Sequence, residues 1–390
     1  MNKQQVKWVV LLVCSIMLVA CKTSTKPRAT ISNIAPPAPT TPIFTQSQWD
    51  ALPEWYTLDL TPAWAALMQS CRVLKLKPRW QSVCADAEMI DRTDSDAQRS
   101  FYQENLSPYR LSNPDGSDQG VITGYYEPLL KGSRYKTERF RYPIYSVPDD
   151  MLEIDLGDAY PQLKGQRIRG RLSGKRVIPY YKRAEIDAGT DTLIGREIFW
   201  VENAVELFFL QIQGSGRIEL ADGRQYKVGY ADQNGHPYVS IGRKLIEMGE
   251  MKLEEASMQG IKAWGEKNPT KLDALLEQNP SYVFFREMSE NLTAPLGALG
   301  VPLTNEYSIA VDPRAIPLGS PVFLATTQPN SSVPLNRLML AQDTGGAIRG
   351  AVRADFFWGF GDKAGSQAGR MKQQGRMWVL FPKGGEPIQN

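Results

Sequence analysis

The alternation of hydrophobic and polar positions changes rhythm several times along the 390-residue chain. Residues 8–20 are apolar except for Ser15, follow Lys3 and Lys7, and are too few to span a bilayer comfortably as a helix. This pattern predicts a cleaved secretory signal over residues 1–20. Residues 21–48 are rich in Thr, Ser and Pro with few large apolar side chains, and read as a flexible tether. Over residues 49–106 the pattern is helical, with Thr61-Pro62 ahead of Ala63-Trp64-Ala65-Ala66-Leu67-Met68 as a cap-and-proline start signal. From Val121 the rhythm shortens to runs of Tyr, Val, Ile and Phe punctuated by Gly and Pro, which predicts strands. Residues 217–220 and 225–230 flank Asp222-Gly223 and read as a hairpin. Residues 240–280 return to short helices, broken at Gly249, Gly265 and Asn268-Pro269; strands are predicted again at 307–311, 321–325, 337–341 and 377–381. No internal repeat is visible. The pattern is α+β, mainly β, with β-structure in two separated blocks.

Length gives two or three domains, and 42% hydrophobic against 22% charged residues suffices for a sizeable core. Histidine occurs once, at His236, and cysteine four times. That scarcity removes most zinc hydrolases and leaves Ser-His-Asp or Cys-His machinery dependent on one residue. His236 lies in Asn-Gly-His-Pro, a turn sequence expected to face solvent. Acid–base chemistry therefore falls to carboxylates. The formal charge is +3, and loss of the two signal lysines leaves +1, which argues against nucleic acid as a bulk electrostatic partner.

Leu18-Val19-Ala20-Cys21 resembles a bacterial lipobox, in which Cys21 receives lipid; an ordinary secretory signal is the alternative. Lys22 rather than Asp follows the cysteine, which by resemblance to sorted Gram-negative lipoproteins implies the periplasmic face of the outer membrane. Cys14 falls in the signal, leaving Cys71 and Cys84. In an oxidising compartment they read most simply as a disulfide, the alternative being two buried thiols.

Four stretches could carry chemistry. Thr123-Gly124-Tyr125-Tyr126-Glu127-Pro128 offers two flat rings for stacking on sugars, or one core and one surface tyrosine on alternating faces. In Gln211-Ile212-Gln213-Gly214-Ser215-Gly216-Arg217, strand alternation would put both glutamines on one face before a glycine turn. The spacing is not that of a phosphate loop. Asp312 precedes Pro313 and reads as a turn former. Asp343 stands where a strand runs into Thr344-Gly345-Gly346, and Asp355 is followed by Phe356-Phe357-Trp358. A carboxyl against aromatic rings is desolvated and holds its proton nearer neutrality, as a general acid for glycosidic cleavage requires; a buried turn aspartate is the alternative.

Taken together, the lipobox, Thr-Gly-Tyr-Tyr-Glu-Pro, Gln-Ile-Gln-Gly-Ser-Gly, Asn-Pro-Ser-Tyr-Val-Phe-Phe, Asp-Pro-x-x-Ile-Pro-Leu-Gly-Ser, Ala-Gln-Asp-Thr-Gly-Gly-Ala-Ile and Arg-Ala-Asp-Phe-Phe-Trp-Gly resemble the membrane-bound lytic murein transglycosylase A family, in that family's order, from about residue 100 to 381. The resemblance implies a double-psi β-barrel domain of the barwin and endoglucanase kind over 49–130 and 285–385. A second β-domain over 131–284 would be inserted in it, with a groove between the two for a peptidoglycan glycan strand. It implies Asp355 as the catalytic acid and then base, Asp343 as a supporting carboxylate, and Thr123, Tyr125, Gln213, Ser215 and Gly216 as glycan contacts. The implied reaction cleaves the β-1,4 bond between N-acetylmuramic acid and N-acetylglucosamine to a 1,6-anhydromuramoyl end, with no metal or organic cofactor. Water-using hydrolysis on the same scaffold and non-catalytic peptidoglycan binding are the rival functions. The expected partners are glycan strands, the outer membrane and other cell-wall enzymes, with the protein itself a monomer.

Overall fold

The computed structural model describes residues 42–385 and 387, apart from 165 and 167. The signal reading and Cys21 lie outside the described residues. Strand β1 (Ile43–Gln46) pairs antiparallel with β2 (Leu106–Ser112), and Phe44 packs edge-on to Phe381 at 5.3 Å. The stretch read as tether therefore ends earlier than residue 48: β1 pairs with β2 and Phe44 packs against the core, while Ile43 stays exposed. Between β1 and β2 lie α1 (Thr61–Leu74), α2 (Gln81–Glu88) and α3 (Ser95–Asn105). The start signal at Thr61-Pro62 is displaced by one residue: Leu60 takes the cap position, and Asp59 accepts from the Thr61 amide at 3.0 Å. Cys71 on α1 and Cys84 on α2 are joined by a disulfide across a separation of 13 residues. Replacing both by serine is expected to cost about 3 kcal/mol, the loop-entropy value for such a ring, read as a lowered urea midpoint at unchanged slope.

After β3 (Gly120–Glu127) the chain builds a second sheet. Its strands are β4 (Leu129–Ser133), β5 (Tyr142–Tyr145), β9 (Glu197–Val201), β10 (Ser215–Glu219), β11 (Gln225–Gln233) and β12 (Val283–Glu287), in spatial order β12-β11-β10-β4-β9-β5. A small sheet of β6 (Leu152–Ile154), β7 (Ile168–Ser173) and β8 (Arg176–Pro179) sits beside α4 (Arg183–Asp187). The hairpin at Asp222-Gly223 forms as the sequence indicates, with Glu219 opposite Gln225 and Gly223 at a φ of 81°. The helical stretch after it resolves into α6 (Ile241–Glu247), α7 (Met258–Lys267) and α8 (Pro269–Leu276).

One prediction fails here. Gln211 and Gln213 do not lie on a strand but end α5 (Ala204–Gln213), capped by the Asn203 side chain on the Val205 and Glu206 amides and ended by left-handed Gly214. Gln211 and Gln213, two apart on a helix, do not share a face. Gln211 is buried against the Arg183 guanidinium, which also donates to the carbonyls of Asn279 (3.1 Å) and Ser281 (2.8 Å). Gln213 reaches the other way and accepts from the Tyr126 amide at 3.0 Å. His236 is half-buried, not turned to solvent, with a ring nitrogen 2.7 Å from the Tyr180 carbonyl.

The chain then returns to the first sheet through β13 (Ser308–Val311), β14 (Pro321–Thr327), β15 (Pro334–Asp343), β16 (Ala354–Phe360), α9 (Gly361–Arg370) and β17 (Lys372–Pro382). The order is β1-β2-β17-β14-β15-β13-β16-β3, and β17 also pairs with β3, so β17, β14, β15, β13, β16 and β3 close into a ring. Two of its pairings, β13–β15 and β16–β3, are parallel. Alternate residues divide between two cores. Val322, Leu324, Met339, Met377 and Val379 join Ile309, Phe356 and Trp358 in one. Phe323, Leu338, Leu340, Trp378 and Leu380 meet Trp55, Trp64 and Leu67 from the helical side in the other. Burial on both faces explains why these strands read as unbroken apolar runs. The whole is a mixed α/β architecture, mainly β.

Candidate active site

Strand alternation decides which side chains share a face in the ring. Ala354, Phe356 and Trp358 on β16 point into the first core, as do Ile122 and Tyr126 on the neighbouring β3. Asp355 and Phe357 point the other way, with Thr123 and Tyr125 of β3 directly opposite them in register and Ala310 of β13 opposite Asp355 on its other side. Tyr125, Phe357, Ala310, Leu303 and Ile348 form a small apolar cluster on this face, Tyr125 and Phe357 with ring centroids 5.1 Å apart. Of the three aromatic residues after Asp355, only Phe357 therefore shares its side of the sheet. Desolvation still comes, but largely from the surrounding elements.

Both tyrosines of Thr-Gly-Tyr-Tyr-Glu-Pro are buried, each on its own face of β3, so the reading of one core and one surface tyrosine fails. Tyr126 faces α9, whose close approach depends on Gly124: a Cβ there would lie 2.8 Å from Ala368 Cα and 2.7 Å from Trp358 Nε1. On this side Gly124, Tyr126 and Gly365 meet Phe209, Gln213 and Ser240 around a cavity of ≈ 240 Å³.

The polar groups on the Asp355 face form two short chains. Arg353 Nη2 donates to Thr123 Oγ1 at 2.9 Å, and Thr123 Oγ1 donates to Asp355 Oδ1 at 2.6 Å. Tyr125 OH donates to Asp343 Oδ2 at 3.0 Å, while Asp343 Oδ1 accepts from the amides of Ala298 (3.0 Å) and Thr344 (2.9 Å). Both carboxyls are half-buried, with protein packed closely round them, and burial pushes each above the usual carboxylate value. At Asp355 the Thr123 hydroxyl and the Arg353 charge work against burial and the Asp343 charge works with it. At Asp343 three hydrogen-bond donors oppose burial. Burial and the two carboxylates hold the Tyr125 phenol well above its ordinary value, so it stays a donor.

Of the residues singled out in the sequence, Thr123, Tyr125, Asp343 and Asp355 thus converge by direct contacts. Gln213 stands at the end of α5 and accepts from the Tyr126 amide of β3, with Ser215 and Gly216 opening β10 next in the chain. Asp312, buried, accepts from the Arg314 guanidinium and the Arg314 and Gly350 amides. Burial alone would raise its carboxyl, but those donors hold it below the ordinary value, the signature of a turn-holding carboxylate. Sequence reasoning missed Arg353, whose role depends on β3 lying beside β16. Among the described residues, no group of three or more His, Cys, Asp or Glu could hold a metal ion, and no helix is long and apolar enough to cross a membrane.

Residues 121–286 match the MltA specific insert domain and residues 307–381 the 3D domain. Membrane-bound lytic murein transglycosylase A of Escherichia coli strain K12 is 36% identical over 291 residues, 72% of this chain and 71% of that protein. The crystal structure of MltA from Neisseria gonorrhoeae in its monoclinic form superposes with a TM-score of 0.79 at 41% identity, covering 90% of this chain and 95% of that one. That of E. coli MltA with bound chitohexaose gives 0.64 at 29% identity, covering 87% and 91%. With a converging carboxylate pair on the same scaffold and this extent of likeness, the chain belongs to the membrane-bound lytic murein transglycosylase A family.

Proposed function

We propose that this chain is a lytic transglycosylase: it cleaves the β-1,4 bond between N-acetylmuramic acid and N-acetylglucosamine in peptidoglycan and leaves a 1,6-anhydromuramoyl end. The observation that carries this reading is the unequal solvation of two neighbouring carboxyls. Burial raises both carboxyls, but Asp343 receives three donors that oppose it; Asp355 receives one, and the Asp343 charge raises its proton affinity further. A pair so biased favours Asp355 as the proton donor.

Protonated Asp355 gives its proton to the glycosidic oxygen as the bond to the muramoyl anomeric carbon breaks. The carboxylate it becomes then takes the proton of the C6 hydroxyl of the same sugar as that oxygen closes on the anomeric carbon. The nucleophile is tethered to its target, so its effective concentration is large and no second carboxylate is needed to activate water. Asp343 supports the cycle by holding Tyr125 and by biasing Asp355. Glycan contacts are assigned to Thr123, Tyr125, Gln213, Ser215 and Gly216. The closed ring with two parallel pairings supports a double-psi barrel, with the β4 to β12 segment inserted in it and the glycan groove between them. Cys21 is the proposed lipid site, tying a monomer to the periplasmic face of the outer membrane.

The test is a digest of purified sacculi by the full chain, with the muropeptides resolved by mass spectrometry. Anhydro ends are expected; purely reducing ends would assign the chain to hydrolysis, and binding without soluble products to a non-catalytic role.

A further inference from the structure

Arg353 lies two residues before Asp355 on the approach to β16, with its guanidinium turned toward β3. Its Nη1 donates to the Val121 carbonyl at 3.2 Å and to the Ala354 carbonyl, and its Nη2 donates to Thr123 Oγ1. A guanidinium has donors and no acceptor. Thr123 Oγ1 cannot return a hydrogen bond to it, and a threonine hydroxyl has a single hydrogen. That hydrogen is committed to Asp355 Oδ1.

We propose that Arg353 is a positioning residue: by holding Thr123 Oγ1 as an acceptor it aims the hydroxyl hydrogen at Asp355 Oδ1, so that Asp355 carries its acid proton on Oδ2 alone. This rests on the assignment of Asp355 as the acid. A neutral carboxyl has two oxygens on which to place its proton, and only one arrangement presents it to the glycosidic oxygen. The Arg353–Thr123 chain disfavours the other, and Arg353 does this through Thr123 rather than through a substrate contact of its own. The same chain favours the carboxylate that must form once the proton has gone, because both the Thr123 donor and the Arg353 charge stabilise the ionised form. The charged and titratable groups around Asp355 are Arg353 beside it, Tyr125 on β3 and Asp343 at the end of β15, with the Thr123 hydroxyl as a neutral donor. Lys372 lies on β17 opposite Thr123, and β13 contributes only Ala310.

The test measures kcat, KM and the pH profile of sacculus cleavage for Thr123→Val, Thr123→Ser, Arg353→Met, Arg353→Lys and the double variant Thr123→Val/Arg353→Met. Thr123→Val keeps the two Arg353 carbonyl bonds, so it separates proton placement from any structural loss at Arg353. Thr123→Val and Arg353→Met should each lower kcat about 10- to 100-fold, in Arg353→Met with KM little changed and in Thr123→Val with any rise in KM reporting its glycan contact. Each should also move the alkaline limb of kcat/KM to higher pH, since a stabiliser of the carboxylate is lost. Thr123→Ser should restore the profile, and Arg353→Lys should restore it in part. The double variant should be no slower than the worse single one, because both break one chain. An unchanged profile in Thr123→Val, or losses that multiply in the double variant, overturns the proposal. Activity retained by Asp355→Asn would instead overturn the underlying assignment, so the two failures are distinguishable.

Discussion

Asp355→Asn is expected to lower glycan cleavage by a factor of about 10²–10⁴, the usual contribution of a general acid, while sacculus binding persists. The amide matches the carboxyl in shape and still accepts from Thr123 through its oxygen, so the fold should survive. The substitution should also stabilise the protein at neutral pH. The native state raises the Asp355 pKa above the ordinary 3.8, chiefly through burial, so between 3.8 and the raised value it binds a proton that the unfolded chain releases. The associated stability is fully present below 3.8 and is lost as pH rises through the native value. Asparagine, which cannot ionise, escapes that loss. Thermal melts of wild type and variant should therefore converge in acid and separate toward pH 7, with the variant higher. Wild-type cleavage by the variant would remove Asp355 from the mechanism; a variant less stable at pH 7 would contradict its raised pKa.

The second large effect is expected where the chain passes from β3 to β4. Glu127 is buried, and its Oε2 accepts from Arg217 Nε at 3.1 Å and Nη2 at 2.9 Å; the guanidinium also lies 3.8 Å from the centre of the Phe360 ring. Glu127 belongs to the ring, Arg217 to the second sheet, and Phe360 to β16. Arg217→Met leaves a buried carboxylate without its cation, at a cost of about 3–5 kcal/mol. Glu127→Gln in the same background should recover most of that, because the uncompensated charge is gone. Urea unfolding checks both, and a loss below about 1 kcal/mol in Arg217→Met would show that water replaces the arginine. The pair also links the two sheets, so the single variant is expected to raise KM for long glycan strands more than for short ones.

Legibility in the sequence followed how local each cause is. Asp222-Gly223 specifies its hairpin within a few residues, because a tight turn needs the left-handed backbone that Gly223 supplies. The strands predicted at 321–325 and 337–341 are visible as apolar runs, though they extend to 321–327 and 334–343 through polar residues that the runs do not include. Helix α5 was not, because its apolar residues face cores on several sides and leave no period of two or 3.6; only its caps, Asn203 and Gly214, betray it. Asp343 and Asp355 could be nominated from their neighbours. The partners that set their properties could not: Tyr125 is 218 residues from Asp343, and Thr123 is 232 residues from Asp355. Asp355 was singled out for three aromatic neighbours, two of which point into the opposite core. The direction of its pKa agreed with expectation, but its cause lies mainly in the tertiary surroundings.

The ring closes through β17, whose first residues pair with β3 and whose later ones pair with β14 and β2. β3 carries Thr123 and Tyr125 and lies early in the sequence, yet its second neighbour, β17, lies far along it, with Lys372 opposite Thr123. A nascent chain that lacks residues 372–382 holds β3 against β16 alone and leaves one edge of the site unsupported. The order of the Asp355 face thus depends on a pairing, Thr123 with Lys372, between segments that lie far apart in the sequence.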